Sequence, residues 1–148
     1  MAIITLTAAD GSEVQFYDEL KGSGAMKDVY FSLNRDYVVA FYRNPADAAV
    51  EERLSVITGI YRERIFNQAG GDYWKKVFCW PTTTVKYRDY IGVVVPFYSD
   101  DFFFKYGSRN EDMLGIKGRE KEGKWFTSPS NRSKYLDPRE LGNWLQQL

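Results

Sequence analysis

Gly22 and Gly24 are the residues of this chain whose spacing points most directly to chemistry. They lie in LKGSGAMKDVYF between two β-prone runs. Two missing Cβ atoms in one tight bend let backbone N–H groups come close to an anionic ligand. A G-x-G pair alone is equally at home at the flexible tip of an ordinary β-hairpin. Other routes to chemistry are thin. With no histidine and one cysteine, Cys79, the chain offers no zinc site, no cysteine–histidine nucleophilic pair and no internal disulfide. Asp100 and Asp101 are adjacent, so in an extended segment they point to opposite sides and form no acid–base pair.

The elements that must position the glycine bend follow from the alternation around it. Val29-Tyr30-Phe31 resumes a strand, Asn34-Arg35-Asp36 turns it, and Tyr37 to Phe41 returns. Upstream, Ile3 to Thr7 and Glu13 to Phe16 flank Asp10-Gly11 and read as a hairpin expected to extend the same antiparallel sheet. Asn44-Pro45 then opens a helix over 46–66, with Asn44 as its expected cap. Val50, Leu54, Ile57, Tyr61 and Ile65 form its apolar stripe, expected to pack on the sheet. Gly70-Gly71 marks a loop, and Tyr73 to Phe78 fits neither period decisively. Trp80-Pro81 begins an extended run, followed by a hairpin of Thr82 to Tyr87 and Tyr90 to Val95 around Arg88-Asp89. Beyond Tyr98, Phe102 to Phe104 is apolar, whereas Gly107 to Lys124 is charged and expected as a solvated loop. Trp125-Phe126 should tuck back. Asp137-Pro138 starts a last helix with Leu141, Trp144, Leu145 and Leu148 on one face, still running at the final residue, as expected of a longer protein cut short.

Composition narrows the partners. A chain of 148 residues, 44% hydrophobic and 17% aromatic, is expected to fold as about one strand-rich domain. Lys plus Arg and Asp plus Glu both number 20, so no net field recruits nucleic acid or an anionic membrane, and only local basic patches remain. No basic patch is evident among the aromatics, which weighs against a nucleic-acid or carbohydrate binder. Without a long apolar run or a signal-like N-terminus, and with one cysteine expected to be small and buried, the chain reads as cytoplasmic.

The order of these elements resembles the N-terminal lobe of protein kinases, whose glycine-rich loop precedes a V-A-I-K strand and whose five-stranded antiparallel sheet carries one large helix between its third and fourth strands. The chain looks closest to bacterial kinase-like proteins encoded beside a phosphatase and a von Willebrand-type protein in tellurite-resistance clusters. The segments that carry this are VVAFYR (Val38–Arg43), RLSVITGIYRERIF (Arg53–Phe66), FCWP (Phe78–Pro81), VVVPFY (Val93–Tyr98) and GREKEGKWF (Gly118–Phe126). The resemblance implies an α+β fold, an antiparallel sheet of five or more strands with one main helix packed on it. Residues 1–98 would be a nucleotide-binding subdomain, 99–136 a linker or insertion, and 137–148 the start of a C-lobe helix. The implied ligand is ATP, with Mg in the complete protein. Gly22 and Gly24 would cover the phosphates, Val29 and Ala40 would pack on the adenine, and Val95 to Tyr98, Phe97 included, would be the hinge. Val29, Ala40 and Val95 are also residues that any sheet core buries.

Two positions depart from the kinase pattern. Lys27 stands where the third glycine belongs, and Tyr42 stands where the strand lysine belongs. The resulting G-x-G-x-x-K-x-V-Y resembles the with-no-lysine kinases, which implies that Lys27 supplies the phosphate-binding ammonium. Glu51, on the edge of the helix stripe, is the expected partner of that lysine, whereas Glu52 points away; a carboxylate favouring the helix dipole explains Glu51 equally well. No H-R-D-like or D-F-G-like segment is present, so the chain is not expected to be a complete enzyme. The implied partners are the rest of the kinase chain (its C-lobe), a phosphatase and a von Willebrand-type protein, with neither nucleic acid nor membrane. The alternative is a pseudokinase-type interaction module without nucleotide binding, with Phe102 to Phe104, Trp125 and Phe126 as contacts.

Overall fold

Seven strands form two sheets. β1 (Ile3–Thr7) and β2 (Glu13–Tyr17) pair as a hairpin. β3 (Gly22–Ser23), β4 (Lys27–Phe31), β5 (Tyr37–Tyr42), β6 (Thr83–Tyr87) and β7 (Tyr90–Pro96) form a five-stranded sheet in the order β3-β4-β5-β7-β6, antiparallel throughout. A computed structural model describes residues 1–145, and side chains through Gly142. Trp144, Leu145 and Leu148 of the expected C-terminal face therefore lie outside the described side chains. The chain divides into two compact units, Met1–Phe97 and Tyr98–Leu148, and the protein is α+β.

In the first unit, alternation sorts each strand between two faces. Val39 and Phe41 of β5, Val94 of β7 and Val85 of β6 pack with Val14 and Phe16 of the hairpin. Ala40, Ile91 and Val93 pack with Leu54 of the helix. The hairpin does not extend the larger sheet, as its sequence led us to expect, but lies on one of its faces. The free edge of β2 is closed by a side chain: Tyr37 Oη donates to Gln15 O at 2.9 Å and accepts from Gln15 N at 2.8 Å. Only Phe16 and Ser32 make a β-bridge across this junction.

The helix expected over 46–66 is α1 (Ala48–Val56), a π-helical turn (Ile57–Tyr61) and α2 (Arg62–Phe66). Asp47, not Asn44, is the cap, its carboxylate accepting from Val50 N at 2.8 Å. Ala46 N donates to Asp89 O at 3.0 Å, which keeps 44–46 outside the helix as a tie to the β6–β7 turn. The π turn puts an extra residue into one turn and rotates everything after it. Tyr61, on the apolar stripe at 3.6 residues per turn, is consequently 47% exposed. Two donors engage carbonyls here: Thr58 Oγ1 bonds Leu54 O at 2.8 Å and Trp80 Nε1 bonds Ile57 O at 2.7 Å. The ambiguous run before Cys79 is helix α3 (Gly71–Val77), entered through Gly70 in the left-handed region. Cys79 is half-buried, and burial pushes its thiol up.

The second unit has its own core of Phe104, Ile116, Phe126 and Leu136. Residues 99–136, expected as a linker or insertion, contain this packed centre. They carry a 3-10 turn (Asp100–Phe102), α4 (Arg109–Asp112), α5 (Lys124–Thr127) and a π turn (Asn131–Tyr135), and α6 (Pro138–Leu145) follows. In α4, Asn110, Glu111 and Asp112 all have φ between 56° and 60°, a left-handed turn. The charged run is not wholly solvated either. The Lys121 side chain is 5% exposed, with Nζ 2.7 Å from Asp101 O and 4.0 Å from the fully buried carboxylate of Glu140.

Two predictions follow from these packings. A Cβ at Gly92 would sit 2.9 Å from the Phe41 ring, so Gly92→Ala must displace a core aromatic. It should cost about 1–3 kcal/mol in urea unfolding, with no change in slope. Asp112 accepts from the backbone N–H groups of Ser108, Ile116 and Lys117, and these bonds hold its carboxyl at about 2, below its ordinary 3.8. The stability it contributes is present above 3.8 and is lost as pH falls towards about 2. The difference in thermal midpoint between wild type and Asp112→Asn should therefore shrink over that window.

Candidate functional site

The glycine bend is assembled by register. Gly22 pairs with Val29, Val29 with Ala40, Ala40 with Val93, and Val93 with Thr84, so one row runs across the sheet from the bend to its far edge. A second row sets Phe31 opposite Val38 and Val38 opposite Val95. Phe97 closes onto it, its ring 5.3 Å from that of Phe31 in an edge-on contact. Val29, Ala40 and Val95 share the sheet face on which α1 packs. Leu54 and Val50 of α1 join this cluster, yet Val29, Val95 and Phe97 remain only half-buried.

Lys27 is opposite Tyr42 in register, and its ammonium lies 4.7 Å from the centre of the Tyr42 ring. The Lys27 and Tyr42 side chains thus meet. Glu51 does not join them: its carboxylate pairs with Lys86 of β6 at 2.5 Å. Helix phase explains this, since Glu51 in the first turn of α1 faces the β6–β7 end of the sheet while Lys27 starts β4. Beside Tyr42 a groove of about 390 Å³ is walled by Met26, Pro45, Val50, Leu54 and Ile91.

The bend itself is fastened by polar groups on the other face, which the sequence pattern did not single out. Ser23 Oγ donates to Asp28 Oδ1 at 2.7 Å, and Arg43 Nε donates to the same oxygen at 3.1 Å; Arg43 Nη2 also reaches Ser23 Oγ. The Ser23 hydroxyl first and the Arg43 guanidinium second hold the Asp28 carboxyl below its usual range. The only legible signal was alternation, which sends 28 and 43 away from 27 and 42. Asp28 and Arg43 border a second cavity of about 310 Å³ with Tyr30, Tyr87 and Tyr90. Burial first, then Asp28 and Asp18, push the Tyr30 hydroxyl up.

Neither glycine of the bend is demanded by the fold. A Cβ at Gly22 would meet Val29 at 3.9 Å, and one at Gly24 would meet Lys27 O at 3.9 Å, both ordinary contacts, and neither residue has positive φ. Among the described residues no three His, Cys, Asp or Glu side chains gather where they would hold a metal ion. No helix among them is long and apolar enough to cross a membrane.

Gly24→Ala should leave the fold intact, and by restricting the unfolded chain it should stabilise the protein by about 0.4–1 kcal/mol in chemical denaturation. A loss of stability would show that the bend needs the glycine for its own conformation.

No family model, no curated protein and no solved structure matches the chain.

Proposed function

We propose that residues 1–97 form the ATP-binding small lobe of a Ser/Thr-protein-kinase-like protein of the tellurite-resistance type. The observation that carries the reading is the bend with its two glycines unexplained by internal packing, set in one row with Val29 and Ala40. The five-stranded antiparallel sheet with its helix between the third and fourth strands supports it, as the resemblance requires.

The roles divide by chemistry. Backbone N–H groups around Gly22 and Gly24 would lie over the phosphates, and Lys27 would add a charge-assisted contact once it leaves the Tyr42 ring. Val29, Ala40 and Val95 offer an apolar floor to a purine, with Phe97 at its margin. ATP would supply the transferable phosphoryl group. Transfer needs a catalytic aspartate and a metal-binding aspartate in H-R-D-like and D-F-G-like segments, which this chain lacks, so by itself it would bind without turnover.

A second reading, an interaction module without nucleotide affinity, is favoured by one specific observation. Lys27 rests on Tyr42 while Glu51 is committed to Lys86, so Lys27 and Glu51 form no ion pair with each other.

ATP titration by calorimetry separates the two. On the first reading wild type binds, and Lys27→Met weakens binding by about one to two decades, the worth of a charged contact of roughly 1.5–3 kcal/mol. Arg43→Met, on the opposite face, changes affinity far less. Absence of heat with wild type rejects the nucleotide reading, whereas measurable wild-type binding with affinity indifferent to Lys27→Met shows that Lys27 is only a surface lysine.

A further inference from the structure

Helix α3 sorts its side chains cleanly. At about 100° per residue Tyr73, Val77, Trp74 and the following Phe78 share one arc, and Asp72, Lys75 and Lys76 share the other. In a packed unit the first arc would face inward. Here Tyr73 is 53%, Val77 41% and Phe78 44% exposed. The rings are nonetheless ordered among themselves: Trp74 stacks on Phe78 at 5.3 Å, and Tyr73 meets Trp74 edge-on at 5.1 Å. The helix is pinned where it starts, because Gly71 approaches the end of α2 so closely that a Cβ would fall 2.0 Å from Phe66 O. It is held with Tyr73, Val77 and Phe78 outward and Trp74 half-buried between the other two rings.

Charge selects the occupant. Arg62, Arg64, Lys75 and Lys76 outnumber Glu63 and Asp72 across α2 and α3, a local excess hidden by the neutral total. Tyr, Trp and Phe beside lysines, with no Leu or Ile on the arc, suit the headgroup layer, where ring bodies enter and polar edges stay wet. We propose that α3 docks the protein peripherally on an anionic lipid surface, its rings in the interface and Lys75 and Lys76 on the headgroups. A single short helix makes this contact weak, reversible and salt-sensitive.

The test is co-sedimentation of the full chain with phosphatidylcholine vesicles, with and without phosphatidylserine. Binding should require phosphatidylserine and fall as salt rises. The double variant Lys75→Gln/Lys76→Gln should bind about 25-fold more weakly, at about 1 kcal/mol per lysine. Trp74→Ser/Phe78→Ser should abolish binding while circular dichroism is retained; if it fails to fold, the lysine pair, on the exposed polar arc, carries the test. No partition onto anionic vesicles, or equal partition of wild type and lysine variant, overturns the proposal. So does lipid-free self-association that the ring variant removes, which would make the face a contact between copies.

Discussion

Strands β5 and β7 are covered on both faces, and the arrangement of the first unit depends on that double burial. Val39 is fully buried and Val94 nearly so beneath the β1–β2 hairpin, while Ala40 and Val93, one residue away on each strand, are buried on the side of α1. A slip of one residue in the β5–β7 register would exchange the two sets and misplace both layers. Gly92 sets the spacing at one end of this pairing, opposite Phe41, whose ring fills the volume a side chain there would take. The row from Gly22 through Ala40 inherits its alignment from this pairing. The half-buried Val29, Val95 and Phe97 are what α1 leaves incompletely covered.

The second unit depends instead on carboxylates that accept from its own backbone N–H groups. Glu140 is fully buried in the first turn of α6, and its Oε1 accepts from the backbone N–H groups of Tyr106 and Gly107. Among the described residues its other oxygen has only Lys121, at 4.0 Å. Removing one partner of such a pair strands a charge out of water, whereas replacing both with apolar residues need not destabilise. The pair therefore fixes where the 106–107 segment, residue 121 and α6 meet more than it adds net stability. Asp112 does the same for the 108–117 loop with three backbone donors, which is how three consecutive left-handed residues are tolerated there.

Much of the first unit was legible because its signals are local. Alternation marked β4 to β7, the Arg88-Asp89 turn set the β6–β7 hairpin, and the spacing of Val50 and Leu54 aimed α1 at the sheet. Legibility failed where one local rule was carried too far. A uniform helix period hid the π turn and put Tyr61 in the core. An apolar hairpin read as more of the same sheet, although Tyr37 caps its edge. Charge density made GREKEGK look solvated, although Lys121 has a buried partner nineteen residues later in sequence.

The same limits apply to the candidate site. The sequence by itself determined that two glycines precede a β-hairpin, that Lys27 follows them and that Tyr42 lies at the end of the returning strand; these are properties of neighbouring residues. Tertiary structure decided that Lys27 lies on Tyr42, that Glu51 pairs with Lys86, and that Ser23, Asp28 and Arg43 fasten the bend from the opposite face. Each of these contacts joins side chains whose separation is set by strand register and helix phase. Register and phase come from burial on both faces of one sheet, which no short stretch of sequence contains.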